Sequence, residues 1–302
     1  METLARAALP LLERAEDHAG LVHVWSALGF VASDRGRGEE HAQAIEQAIR
    51  YSRLADRGYP AGVLEAALTF GPRPADEALG ALDALPGTPL PWTSLYRAVL
   101  LAMLGRLDEA RSLADEASER VHEQTGERRG DGLLAEIAIL AGDHEAAAAY
   151  LRRKCDLLER RGERGFLSTD APRLGRSLCK LGRYEEAEPL AQLGCELGVE
   201  EDVATQRLWR QVQALVHAHR GEQAAAEALA QEAVAIVERT DSLNEQGDAL
   251  CDLAEVHAAA GRSEEAAAAL QQALERYERK KNLAMVAQVR ARLAELQAAA
   301  PQ

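Results

Sequence analysis

The sequence predicts an all-α, right-handed solenoid of stacked helical hairpins. Three observations carry that reading: a recurring glycine, a small residue usually five positions after it, and a composition rich in alanine with only 4% aromatic side chains. The glycines are Gly36, Gly71, Gly105, Gly142, Gly182, Gly221 and Gly261, spaced 35, 34, 37, 40, 39 and 40 residues apart. Periods of that size belong to stacked helix-turn-helix repeats.

The elements follow in chain order. Leu4, Ala8, Leu11, Leu12 and Ala15 have the spacing of an amphipathic helix and precede an apolar helical pattern at Leu21 to Val31. Residues 1–16 therefore read as the second helix of a repeat whose first helix is missing, either the remnant of a truncation or a cap. Seven hairpins follow, one around each glycine. Glu39-Glu40, Asp108-Glu109, Glu185-Glu186 and Glu264-Glu265 open second helices, where carboxylates face unpaired N–H groups and the positive end of the helix dipole. The copy at Gly182 shows the design. Leu174, Leu178 and Leu181 make one apolar face, Gly182 ends the helix because glycine takes positive φ freely, and Ala187 marks a close helix crossing. Ser168-Thr169-Asp170 before Pro172 reads as a helix start. Residues 280–302 are expected to form a C-terminal capping helix, so that 1–302 make one solenoid.

The formal charge of −14 is partly accounted for by these acidic first turns. It argues against a nucleic-acid surface, which needs clustered accessible cations. Arg152-Arg153-Lys154 and Arg160-Arg161 are interleaved with Asp156, Glu159 and Glu163, the pattern of a salt-bridged helix face. The chain has four lysines against 31 arginines, the mark of a GC-rich genome. The N-terminus lacks the layout of a secretory signal, and no uncharged run reaches membrane-spanning length. Cys155, Cys179, Cys195 and Cys251 have neither CxxC spacing nor the density of a disulfide scaffold, so buried, reduced thiols in the cytoplasm are expected. Cys155 and Cys195 each lie 13 residues after a repeat glycine, which predicts equivalent packing.

Chemistry is sparse. His217 and His219 point to different faces of a helix, unlike metal ligands four residues apart. There is no dinucleotide-binding glycine motif after a strand, no phosphate loop and no nucleophile elbow. No catalytic residue, metal ligand or cofactor is therefore assigned. Trp25, Trp92 and Trp209 fall 11 to 13 residues before a repeat glycine and are expected to fill gaps between repeats.

The glycine-to-alanine spacing, with a small residue such as Gly175 seven before Gly182, resembles the tetratricopeptide repeat (TPR). Periods of 37 to 40 exceed the usual 34, and the closing proline of that motif is missing. A narrower resemblance rests on WSALGFVASDRGRGEEHAQAIEQAIRYSRLADR, LTFGPRPADEAL, ERGFLSTDAPRLGRSLCKLGRYEEAEPLAQ and ERTDSLNEQGDALCDLAEVHAAAGRSEEAAAALQQALERYERKKN. These stretches are similar to the C-terminal helical-repeat region of actinobacterial signalling regulators, in which an adenylate or guanylate cyclase domain and an AAA-type ATPase precede TPR-like repeats. Neither the cyclase aspartates nor the ATPase phosphate loop has a counterpart in this chain.

The resemblance implies a noncatalytic scaffold or regulatory module for protein–protein or interdomain contacts in bacterial signal transduction. The alternative is a ligand- or peptide-sensing module of a transcription regulator. Stacked first helices should line a concave groove, with Arg129, Glu136, Arg176, Lys180, Gln211, His219 and Glu255 facing it. The expected partners are a protein, a peptide, other domains of a parent polypeptide or a second copy, without nucleic acid, membrane or cofactor.

Overall fold

The computed structural model describes residues 2–58, 62–85, 90–125 and 130–299, which contain sixteen α-helices and no strand. α1 (Glu2–Arg14) packs on the first of seven helix pairs. The pairs are α2 (His18–Asp34) with α3 (Gly38–Leu54), α4 (Val63–Phe70) with α5 (Ala75–Asp83), α6 (Pro91–Met103) with α7 (Leu107–Thr125), and α8 (Asp131–Leu140) with α9 (His144–Arg161). They continue with α10 (Arg164–Lys180) and α11 (Tyr184–Leu197), α12 (Val203–His219) and α13 (Gln223–Val237), and α14 (Leu243–Ala259) and α15 (Ser263–Lys280). α16 (Leu283–Ala299) follows. The first helices α6 and α8, α10 and α12, and α12 and α14 touch one another and form the inner wall of the solenoid. No helix is long and apolar enough to cross a membrane among the described residues.

The pair α10–α11 shows why the repeat forms. Gly182 sits at φ 74°, and the N–H of Arg183 reaches back to the Leu178 carbonyl at 2.9 Å, which satisfies a helix-end acceptor. Ala187 is fully buried, and a Cβ added to Gly175 would lie 3.1 Å from its carbonyl oxygen. The equivalent alanines Ala110, Ala147, Ala226 and Ala266 are also at 0% exposure, so the five-residue spacing marks a repeated close crossing. Gly71 departs from this pattern. It has φ −69° and ψ −176°, because the following Pro72 disfavours helical geometry in the residue before it.

Two local expectations are corrected. Ser168-Thr169-Asp170 do not start a helix: α10 begins at Arg164, and Pro172 lies in its interior. The proline is accommodated because Gly194 of α11 presents no side chain to it; a Cβ there would come within 2.9 Å of Pro172 Cγ. That contact also explains the second correction. Gly194 takes the close-approach position, which leaves Cys195 exposed, whereas Cys155 is buried in its hairpin. Cys179 and Cys251 are buried as well, and burial pushes the thiol pKa values of Cys155 and Cys179 up to about 12 and that of Cys251 to about 11.

The tryptophans are half-buried. Trp92 packs against the core between α3 and α8, Trp209 against that between α8 and α12, with Arg210 over its ring at 4.1 Å. Arg152, Arg153 and Lys154 are each paired, with Glu186, Asp131 and Asp170.

The solenoid does not stay open. Its last third meets its first third along a polar seam. The Asp241 carboxylate accepts from the N–H groups of Gly38 and Glu39 at 2.7 and 3.0 Å, capping α3 from about two hundred residues away. Lys280, fully buried, donates to the carbonyls of Gly71 and Arg73, both at 2.7 Å. Gln288 donates to the Leu140 carbonyl at 3.0 Å, and Lys281 pairs with Asp76 at 2.5 Å. Ala284 and Met285 enter the apolar cluster that also holds Ile45, Leu95 and Val99. The short helices α4 and α5, eight and nine residues long, leave room for the α15–α16 connection to dock. The accessible surface is 14395 Å², against ~12,400 Å² for a compact monomer of this mass.

Candidate functional site

The inner helices bring charged side chains together by helical spacing. On α10, Thr169, Arg173, Arg176, Ser177 and Lys180 fall at intervals of three and four residues and line one face of a central cavity of about 220 Å³. α12 contributes Ala204, Arg207 and Leu208, and α14 contributes Asn244, Glu245 and Asp248. Glu136, Ile139 and Leu140 of α8 and His144 of α9 close one side. Phe70, Tyr277, Asn282 and Met285 arrive from α4, α15, the α15–α16 link and α16, so the cavity exists only because the ring closes.

Asp252 is the hub of the wall behind the cavity. At 1% exposure it accepts from Arg176 Nε at 2.6 Å, Lys180 Nζ at 2.8 Å and Gln211 Nε2 at 2.9 Å. Burial alone would raise its pKa, but Arg176 and Lys180 overcome burial and hold the carboxyl well below the usual range. Burial likewise opposes the charge on Lys180, yet Asp252 and Glu255 lift its pKa to about 12. Arg173 donates to Glu136 at 3.0 Å and Asp170 at 3.3 Å. Glu136 keeps a raised pKa because burial outweighs the neighbouring Arg173. Arg207 reaches Gln211 and Glu245, both at 2.9 Å, while Tyr277 donates to Asp248 at 2.8 Å. Burial, then Arg176 and Lys180, pull the His144 pKa down to about 4.

Several polar atoms stay unmatched. Arg207, at 7% exposure, has no partner for its Nε, and His144 has none for Nδ1. Arg173 engages only its Nη atoms, and Arg176 only Nε and Nη2.

Of the seven residues expected to face a groove, Glu136, Arg176 and Lys180 line the cavity. Gln211 and Glu255 belong to the wall behind it, bonded to Asp252 and Lys180. His219 is exposed and away from the cavity, stacked on Tyr184 with centroids 4.1 Å apart. Arg129 lies outside the described residues. The groove narrows to a central cavity, because the seam brings α16 against α6. Arg173, Glu245, Asp248 and Asp252 went unassigned although their helical spacing to Arg176 and Glu255 put them on the same faces. Phe70, Tyr277 and Met285 had no local signal at all.

Residues 205–279 match the tetratricopeptide repeat family. The whole chain is a TPR-like helical-repeat region in architecture. No curated protein is similar enough in sequence to supply a relative. Among solved structures, a chain of the APC/C hetero-tetramer Cut9–Hcn1 superposes with TM-score 0.58 and 18% identity over 94% of this chain and 51% of its own. This chain thus spans about half the length of that one. NprR in complex with its cognate peptide NprX gives TM-score 0.53 and 13% identity over 90% of this chain and 84% of its own. At these identities the TPR-like likeness is one of fold.

Proposed function

We propose that this chain is a noncatalytic binding module that works through the inner face of its ring, in the cytoplasm and as part of bacterial signal transduction. The observation that carries this reading is the cavity itself. α8, α10, α12 and α14 converge on it with charged groups whose hydrogen-bonding capacity is only partly used. Its natural occupant is a small ligand or a short extended segment of a peptide or protein, since about 220 Å³ holds no helix. The fold neighbour NprR, solved with a peptide, supports the same reading. So does the sequence resemblance to the repeat regions of cyclase–ATPase regulators, where catalysis resides in other domains.

The small size of the cavity favours the sensing version of this function over a scaffold that docks a folded partner. Peptide libraries displayed against the full chain, counter-selected on Arg173→Gln and Glu136→Gln, provide the test. The proposal expects enriched peptides to lose binding to both variants. Enrichment that survives both substitutions would move binding to another surface.

A further inference from the structure

The cavity chemistry can be taken one step further, resting on the reading that the inner face is the binding face. We infer that the lumen takes a small zwitterion with an apolar body, of the class of a free α-amino acid with an aliphatic side chain. Four cations, Arg173, Arg176, Lys180 and Arg207, face the cavity against three carboxylates, Glu136, Glu245 and Asp248. Behind them Asp170, Asp252 and Glu255 pair with the same cations. His144 is neutral near pH 7 because burial pulls its pKa to about 4.

This balance selects the ligand. A ligand with only a carboxylate would add to a local excess of negative charge. One with only an ammonium would leave the guanidinium groups without an acceptor. Arg207 lines the cavity more than nine-tenths buried and spends its Nη atoms on Gln211 and Glu245, while its unpartnered Nε is shielded from the open space and leaves the guanidinium under-satisfied. Arg173 and Arg176 add N–H groups that no protein acceptor takes. A ligand carboxylate meets these donors, while a ligand ammonium meets Glu136 or Asp248, each of which keeps an oxygen without a hydrogen-bond donor. The third contact is apolar. Ile139, Leu140 and Met285 border the cavity with Phe70 and offer a surface for an aliphatic side chain. The volume, about 220 Å³, falls below the ~300–1,000 Å³ typical of clefts for larger ligands and fits one residue. Because Phe70 and Met285 reach the cavity across the seam, such a ligand would bind only the closed ring.

The test is calorimetric titration of the full chain with leucine, N-acetyl-leucine and leucinamide. The three share one side chain and carry both charges, the carboxylate alone and the ammonium alone. Leucine is expected to bind, each single-charge analogue at least about tenfold more weakly, and both Arg207→Gln and Glu136→Gln to weaken leucine by about ten- to a hundredfold. Circular dichroism melts of the two variants verify that they are folded. N-acetyl-leucine binding as tightly as leucine would overturn the zwitterion and make the site a receptor for a peptide C-terminus. Leucinamide binding as tightly would make it one for an N-terminus, and either result leaves the proposed function standing. Absence of binding by all three overturns this inference, and absence of peptide enrichment as well overturns the function on which it rests.

Discussion

The α10–α15 stretch and the seam at α3–α5 hold the ring together by different means. In the first, each hairpin packs on the next through buried alanines, and Asp252 of α14 reaches past α12 to Arg176 and Lys180 of α10. In the second, single polar side chains such as Asp241 and Lys280 reach backbone groups of helices about two hundred residues away. The contrast teaches that the periodic part of the sequence encodes neighbour contacts, while closure depends on a few residues outside the period.

Breaking the charged wall should cost most. Asp252→Asn leaves Arg176 and Lys180 buried beside a neutral amide, and a loss of about 3–5 kcal/mol is expected by urea unfolding. The seam is the next test. Lys280→Met removes the donors to the Gly71 and Arg73 carbonyls and should cost about 1–3 kcal/mol. Lys280 also carries a pH signature, since burial pulls its pKa from 10.5 to about 7. Between those values the unfolded chain holds a proton that the folded chain has released, so stability should rise as the pH increases from 7 to 10.5. Thermal melts across that window should show the rise in the natural chain and a flatter profile in Lys280→Met.

Asp241→Ala should cost about 1–2 kcal/mol, the worth of a helix cap, with helix content unchanged by circular dichroism. On the acid side the His144 pKa falls from 6.5 to about 4, and burial lowers those of His41 and His257 as well, so stability should decline as the pH drops below 6.5. His144→Gln is expected to reduce that slope. Arg106→Ala, at an exposed pair with Glu109, should leave the melting temperature unchanged and sets the floor of the series.

The same contrast explains what was legible in the sequence. Hairpins could be read from glycine and alanine because helix ends and close crossings are local demands, met within five residues. Glu136, Arg176 and Lys180 could be placed on the inner face for the same reason. Pro172 misled, because the glycine that accommodates it, Gly194, lies on the next helix. Cys195 misled because that same contact moved the packing position by one residue. Nothing near Lys280 or Asp241 announces a partner in α3–α5, and the closed lumen could not be foreseen without them. His219 was placed by its offset from Gly221, but Tyr184 of the preceding hairpin captures its ring outside the cavity.

The seam closes the chain into a ring around a charged cavity. Double electron–electron resonance between spin labels at Glu40→Cys and Glu238→Cys, in a chain with Cys195→Ser, measures that closure directly. Both positions are exposed and flank the contact between Asp241 and α3. One narrow, short distance is expected, broadening in Asp241→Ala. A long or broad distribution in the chain with an intact seam would contradict it and return the molecule to an open solenoid.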